Sequence, residues 1–209
     1  MNSGAPGHEG TEAGDLVPAR ARDEVTGALV DPARPLVWRR KVPLAPHFEL
    51  RQGEAVLGGM EPSLGTTFDA SGECLGRTLE LRLETTFVGR VRVETAGELE
   101  REGPAFQGLF WGWGRITTPD QETLRWRHAL TAPYSHLLLD SKGVELLKIR
   151  PAFLRFGRTE TTVRVSTFAW SRNDVADLLL LTWFLKAHIE TWGRRVFKRS
   201  ERRRADDLT

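Results

Sequence analysis

Two tryptophans alternate with glycines near the middle of the chain, in Phe110-Trp111-Gly112-Trp113-Gly114. Alternate side chains of a β-strand point to opposite faces, so Trp111 and Trp113 share one face. Two neighbouring indoles can form an aromatic platform that stacks a ligand or a lipid chain. They can also be core side chains, with glycines where another element packs closely. We favour the core interpretation and keep the platform as the alternative.

Basic residues recur at alternate positions of several predicted strands. The planar guanidinium of Arg can donate two hydrogen bonds to one phosphate, so converging arginines would bind an anionic headgroup. The simpler interpretation is a solvated face, because Glu80, Glu84 and Glu94 are interspersed with these residues. We favour the solvated face and keep the headgroup pocket as the alternative, and the sequence does not show which of these residues would line such a pocket. The candidate ligand-binding residues are Arg90, Arg92, Arg125, Arg127, Lys148 and Arg150, with Trp111 and Trp113, and Arg82 and Arg164 belong to the same basic pattern.

A second basic group lies at the C-terminus. Residues 194–209 carry seven basic residues against Glu201, Asp206 and Asp207, a net charge of +4. Each basic residue near a membrane contributes about 1 kcal/mol of attraction to anionic lipid. The same charges can neutralise nucleic-acid phosphates without sequence specificity, or stay solvated with no partner. The basic residues of this tail are Arg194, Arg195, Lys198, Arg199, Arg202, Arg203 and Arg204.

The residues that usually carry catalysis or bind metals show no recognisable arrangement. The five histidines have no ligand spacing, and a single cysteine, Cys74, makes no zinc site. Phosphate-binding loops, nucleophile elbows and zinc-protease motifs are missing from the sequence. His128 and His136 can meet across neighbouring strands, but no nucleophile is paired with them. The sequence therefore predicts a non-enzymatic protein without a metal or a cofactor.

Length and composition bound the class of protein. A chain of 209 residues, 40% hydrophobic and 28% charged, is long enough for one sizeable core. Cys74 cannot form an internal disulfide, and the N-terminus has no signal-peptide pattern, so we expect a cytoplasmic protein. The formal net charge is only +2, and much of the basicity lies in the tail, so the charge is no argument that the folded body binds nucleic acid.

The alternation of apolar and polar residues predicts antiparallel strands from about residue 36 to residue 167. Thr78–Glu84, Gly89–Glu94, Glu122–Arg127 and Thr162–Val165 each alternate cleanly. Asp69–Gly72 and Asp140–Gly143 both place Asp first and Gly fourth, as type I turns prefer. The reversals imply about ten strands, enough to close on themselves. Residues 1–35 lack this pattern and contain four prolines, which predicts a flexible leader.

The periodicity changes to that of a helix over residues 173–192. Asn173 or Ser171 can cap its start, and Gly193 can end it. Its middle, residues 178–185, is apolar on every side except for Thr182, so it must be surrounded by protein or by lipid. Because Asp177 and Lys186 bracket a run far shorter than the ~20 residues of a membrane span, we predict a buried core helix.

The order of these elements resembles the Tubby C-terminal-like superfamily, which includes the LURP-one-related proteins and the phospholipid scramblases. The likeness covers residues 36–193 and is carried by the hairpins, by Ser135-His136-Leu137-Leu138-Leu139-Asp140-Ser141-Lys142-Gly143, by the strand Val144–Ile149 and by Asp177-Leu178-Leu179-Leu180-Leu181. The resemblance implies a closed antiparallel barrel of about twelve strands around a hydrophobic central helix near the C-terminus. It also implies binding of anionic phospholipid headgroups.

The resulting prediction is a mainly β, non-enzymatic binding or scaffold module that is cytoplasmic or peripheral at a membrane. It has three parts: a leader (1–35), the barrel with its helix (36–193) and a basic, disordered tail (194–209). Two other functions stay open. One is a protein-interaction module with no membrane role, and the other is a nucleic-acid-associated protein that acts through the tail.

Overall fold

The computed structural model describes residues 30–41, 47–62, 69–83, 88–95, 102–109, 113–129, 135–153 and 159–188. The predicted tail, Trp111 and most of the predicted leader lie outside these residues. Within the described part, Val30 is buried in the core, and the Gln52 side chain donates to the backbone oxygens of Asp31, at 2.8 Å, and Arg34, at 3.1 Å. Residues 30–35 therefore pack against the folded body beside Gln52.

The described residues form twelve β-strands and two helices. Every neighbouring pair of strands is antiparallel, and β1 pairs with β12, from Leu36 opposite Val163 to Arg39 opposite Glu160. The predicted closed antiparallel barrel of about twelve strands is confirmed. The strands are β1 (Leu36–Arg40), β2 (Phe48–Gln52), β3 (Ala55–Pro62), β4 (Ala70–Cys74), β5 (Arg77–Leu83), β6 (Val88–Thr95), β7 (Glu102–Leu109), β8 (Trp113–Thr117), β9 (Thr123–His128), β10 (His136–Leu139), β11 (Glu145–Phe153) and β12 (Thr159–Val165).

The alternation seen in the sequence sets which side chains enter the barrel. In β5, Leu79 and Leu81 are buried, and in β9 Leu124 and Trp126 are buried while Arg125 is exposed. Asp140–Gly143 forms the predicted turn: the Gly143 amide donates to the Asp140 carbonyl at 3.1 Å, and Gly143 has a φ of +89°.

The turn predicted at Asp69–Gly72 is wrong, because Ala70–Cys74 is strand β4. Gly72 is buried there, on the inner face of the barrel, and a Cβ atom at this position would lie 2.9 Å from Cδ2 of Leu180. The glycine is thus needed for a close approach of the helix, since any side chain would collide with Leu180.

The second helix, α2, fills the barrel and is described over residues 175–188. Every residue from Ala176 to Lys186 is buried, through about three turns, so protein surrounds the helix on all sides. Trp183 stacks on Trp38 of β1, with ring centroids 5.0 Å apart, and meets Phe48 of β2 edge-on at 5.2 Å. The predicted core helix is confirmed over the described residues, and residues 189–192 of the predicted range lie outside them.

Three polar side chains of the helix, Asp177, Thr182 and Lys186, are buried inside the barrel and have local partners. The Thr182 hydroxyl donates to the backbone oxygen of Leu178 at 2.7 Å, a bond within the helix that needs no outside partner. Asp177 is buried and pairs with Arg77, the first residue of β5, at 3.4 Å. Lys186 is also buried, and its ammonium lies 4.8 Å from the centroid of the Trp183 indole.

A short helix, α1 (Thr167–Trp170), precedes α2 and was not predicted. The hydroxyl of Ser166 caps it by accepting from the amide of Ala169 at 3.1 Å. Between the helices, Arg172 donates to both carboxylate oxygens of Asp174 at 2.8 Å and to Glu122 at 2.7 Å. The hydrogen bonds to Asp174 and Glu122 raise the pKa of Arg172 above its ordinary value, against the lowering effect of burial. This cluster fastens the start of α2 to the turn between β8 and β9.

The helix runs along the barrel in a defined direction. We call the end at which odd-numbered strands begin the lower end, and the other the upper end. Asp177 contacts the start of β5 at the lower end, whereas Trp183 contacts Phe48, the start of β2, at the upper end. The chain therefore leaves α2 at the upper end. None of the helices in the described residues has the length and apolar character needed to cross a membrane.

Candidate anion-binding surface

The outer surfaces of β8 and β9 are basic. Ile116, Leu124 and Trp126 point into the barrel and are buried, which turns Arg115 and Arg125 outward. The two arginines occupy directly opposite positions of the antiparallel pair. Like charges at such positions are destabilising, so the pair costs stability unless a counter-ion is bound.

The basic surface continues around the barrel through the register of the next strands. Arg127 of β9 is opposite Leu137 of β10, Leu137 is opposite Lys148 of β11, and Lys148 is opposite Arg164 of β12. Because neighbouring strands are about 4.8 Å apart, these positions follow one another across the sheet. We call this surface the basic face, and it comprises Arg115, Arg125, Arg127, Lys148, Arg150 and Arg164.

Few carboxylates of the described residues lie beside the basic face. Glu145 pairs with Lys148 at 3.6 Å, at the lower end of β11. Arg125 donates from Nη2 to the backbone oxygen of Ser141 at 3.0 Å, which is a neutral acceptor. The outward positions of β8 and β9, all of which the structure describes, include no acidic residue.

Trp113 adds an exposed indole to this surface. It is the first residue of β8 and is 50% exposed, so the predicted core position is wrong for Trp113. The next residue, Gly114, is opposite Trp126, which places Trp113 at the level of Arg127 on the neighbouring strand. Exposed indoles are enriched both at protein interfaces and at membrane interfaces.

The glycine next to Trp113 is explained by packing on the inner side of the sheet. A Cβ atom at Gly114 would lie 2.2 Å from Cε2 of Phe106, and one at the facing Gly108 would lie 2.5 Å from Cζ of the same ring. The prediction that a neighbour packs closely against the glycines that alternate with the two tryptophans is confirmed for Gly114. The ring that fills the space is Phe106, while the indole of Trp113 is turned outward.

The other predicted ligand-binding residues occupy several places. Arg90 is exposed on β6, opposite Gln107, which in turn is opposite Arg115. Arg150 is exposed on β11 above Lys148. Arg92 lies in β6 with its side chain outside the described part, and Trp111 and the basic residues of the tail are outside it altogether. Arg82, on β5, pairs with Glu80 at 3.2 Å and Glu94 at 3.5 Å, as expected of a solvated face.

Arg115 was missed by the sequence reasoning. Its signal was present in the alternation of Trp113-Gly114-Arg115-Ile116-Thr117, because an apolar Ile116 turned inward requires an outward Arg115. That alternation was obscured by the glycines and by the interpretation of Trp113 as a core residue.

The predicted meeting of His128 and His136 is confirmed. They are a cross-strand pair of β9 and β10, with ring centroids 4.2 Å apart, and the buried His136 stacks on Trp126 at 4.9 Å. The described residues contain no group of three or more His, Cys, Asp or Glu side chains that could hold a metal ion.

The fold and this surface together define a class: a closed twelve-strand barrel that encloses a helix and carries a basic outer face. No protein-family model and no curated protein matches the chain. One similar solved structure is the X-ray structure of the protein AT5G01750 from Arabidopsis thaliana. It is 12% identical, the match covers 76% of this chain and 95% of that one, and the TM-score is 0.46. Membership of the Tubby-like superfamily stays a prediction.

Proposed function

We propose that the protein binds anionic phospholipid headgroups with the basic face of its barrel and acts as a peripheral, non-enzymatic module. The observation that carries the proposal is the cross-strand pair of Arg115 and Arg125, with no acidic outward position on either strand. A bound phosphate would supply the missing negative charge, because each guanidinium can donate two parallel hydrogen bonds to it.

The exposed Trp113 supports a membrane as the source of that phosphate. A free phosphate compound would gain little from an indole that is 50% exposed, whereas the headgroup region of a bilayer accommodates indole rings. With Arg115, Arg125 and Arg127 near the surface, and about 1 kcal/mol for each basic residue, the attraction to an anionic membrane amounts to about 3 kcal/mol before Trp113 is added.

The test is sedimentation with vesicles of neutral lipid, of neutral lipid with phosphatidylserine, and of neutral lipid with a phosphoinositide, over a salt series. Arg115→Glu exchanges an attraction of about 1 kcal/mol for a repulsion of similar size, so binding to acidic vesicles should fall by about 30-fold. The matched control is Arg34→Glu, which makes the same charge change at an exposed side chain before β1. It should change binding by less than about threefold, since screening limits distant charges.

A protein truncated after residue 193 separates the barrel from the tail. Binding to phosphoinositide vesicles that survives truncation and is lost in Arg115→Glu supports a headgroup site on the basic face. Binding that follows total negative charge and disappears with residues 194–209 would contradict the proposal and leave only tail electrostatics. Equal effects of Arg115→Glu and Arg34→Glu would also contradict it. Failure to bind any vesicle would favour the protein-interaction alternative, and nucleic-acid binding lost on truncation would favour the other one.

A further inference from the structure

A groove with a volume of about 470 Å³ lies on the outer surface of β2, β3 and β4. In the ring of twelve strands, β3 is six places from β9, so the groove is on the side of the barrel opposite the basic face. Gly58 and Gly59 contribute no side chains to it, and Val56, 42% exposed, adds an apolar wall. The groove thus offers an exposed apolar side chain, Val56, on the outer face of the barrel.

The groove is acidic. Glu49, Glu61 and Glu73 line it against one lysine, Lys41, which pairs with Glu49 at 3.6 Å. Glu61 also forms a hydrogen bond with His47, and Glu73 is exposed. A smaller depression shares Glu61 with the groove and extends the acidic surface to Asp69 and Glu80, with Arg82 as its one base. A basic segment would be attracted to this side of the barrel.

The path of the chain brings such a segment to the groove. Helix α2 leads out at the upper end, and Glu49, near the start of β2, and Glu61, near the end of β3, lie at the same end. The last described residue is residue 188. If α2 ends there, four residues before its predicted end at residue 192, the six residues 189–194 can span about 20 Å when extended. That length is enough to lead from the barrel axis to the outer wall.

We propose that residues 194–204 of the same chain dock in this groove. The segment carries seven basic residues and one acidic residue, Glu201, and it begins Arg194-Arg195-Val196-Phe197-Lys198. Its cations would face the groove carboxylates, and its apolar Val196 and Phe197 would lie on the surface that includes the exposed Val56. An extended segment of eleven residues is about 37 Å long and so spans the outer wall along β3. The proposal does not depend on lipid binding.

Disulfide trapping in the full-length protein tests the proposal. Val56 is exposed in the groove, Ser200 lies within the basic segment, and the native Cys74 is buried. A segment that enters at the upper end and runs along β3 places residue 200 at the level of Val56, so in a Cys74→Ala background Val56→Cys with Ser200→Cys should form an intrachain disulfide, with the two Cα atoms within the ~4–7 Å that the bond requires. The matched pair is Lys142→Cys with Ser200→Cys, which places the first thiol in the exposed turn at the lower end. The groove pair should react at least about tenfold faster.

Charge variants test whether the acidic groove causes the docking. Neutralising Glu49, Glu61 and Glu73 to Gln should slow trapping of the groove pair by about tenfold, and so should a rise in ionic strength. The matched control neutralises three acids at the lower end and should change the rate by less than about twofold. These are Glu54→Gln, Asp120→Asn and Glu145→Gln.

Three results would overturn the proposal. The first is equal trapping of the groove pair and the Lys142 pair. The second is a disulfide that joins two chains in place of one within the chain. The third is a trapping rate of the groove pair that is unaffected by salt, a measurement that needs no charge variant to fold.

Discussion

Gly72 and Leu180 should be energetically coupled if the helix lies against β4 as the structure shows. A Cβ atom at Gly72 would be 2.9 Å from Leu180 Cδ2 and 3.0 Å from the backbone oxygen of Gly59. Non-bonded carbon atoms in contact are normally 3.5–4.0 Å apart. Gly72→Ala therefore overpacks the contact between β4 and the helix and should lower the free energy of unfolding by about 2 kcal/mol. Leu180→Ala removes a fully buried side chain and should cost about 3–4 kcal/mol.

The double variant separates the two contributions. In the Leu180→Ala background, the methyl group that Gly72→Ala adds collides only with the Gly59 oxygen. It also fills part of the cavity that the Leu180 side chain leaves. Gly72→Ala should therefore cost less than about 1 kcal/mol in the Leu180→Ala background, a coupling energy of about 1–2 kcal/mol. Residues that do not touch would show additive costs.

Urea denaturation followed by tryptophan fluorescence measures the four free energies of unfolding, provided that the slope with urea stays constant. Ser71→Ala is the control, because this exposed neighbour on the same strand should change stability by less than about 0.5 kcal/mol. A coupling energy below about 0.5 kcal/mol would show that Leu180 does not lie over Gly72. The position of the helix inside the barrel would then be refuted at this contact.

Three further variants test other parts of the molecule. Arg172→Met removes charge-assisted hydrogen bonds of 2.7–2.8 Å and should cost about 2–4 kcal/mol in urea denaturation. Because the pKa of Arg172 is raised in the folded state, the stabilisation from its charge is present throughout the neutral range and should show no pH dependence of its own between about pH 6 and 9. Trp183→Ala removes the stack on Trp38 and should cost about 3–5 kcal/mol by the same measurement, and a loss below about 1 kcal/mol would contradict the stacking. Trp113→Ala should leave stability within about 0.5 kcal/mol and weaken sedimentation with acidic vesicles, so a loss of stability without a loss of binding would refute its role as an outer-face residue.

Much of the barrel could be predicted because a strand with one solvent-exposed and one buried face has alternating polar and apolar residues. The alternation at Leu79 and Leu81, or at Leu124 and Trp126, specifies a strand and its orientation without knowledge of the rest of the fold. The core helix was predictable for a similar reason, since an all-apolar helix without the length of a membrane span needs a sheet around it. Gly72 was misjudged because a glycine in a turn and a glycine under a packed helix look alike in sequence. Only the position of Leu180 tells them apart.

The surface was less predictable, because its composition depends on which strands are neighbours and in which register. Arg125 was identified from its own strand, but its pairing with Arg115 requires the alignment of β8 with β9. Trp113 was assigned to the core from its hydrophobicity. The inner space beside it is occupied by Phe106, which contacts the two glycine positions, and the indole is left outside. Competition for space inside the barrel is a property of the whole fold and cannot be deduced from one strand.

The helix inside the barrel also limits where a ligand can bind. Inward side chains such as Leu50, Leu81 and Ile116 are fully buried against the core, so in the described residues the interior is occupied by side chains. Among the described residues, the surface left for a ligand is the outer one, where charge is distributed unevenly. Arg115 and Arg125 lie on one side of the ring, and the carboxylates of Glu61 and Glu73 lie on the other. Without residues 194–204 in the groove, an anionic surface would attract the first side and repel the second, and a barrel that binds such a surface as proposed would turn the groove away from it.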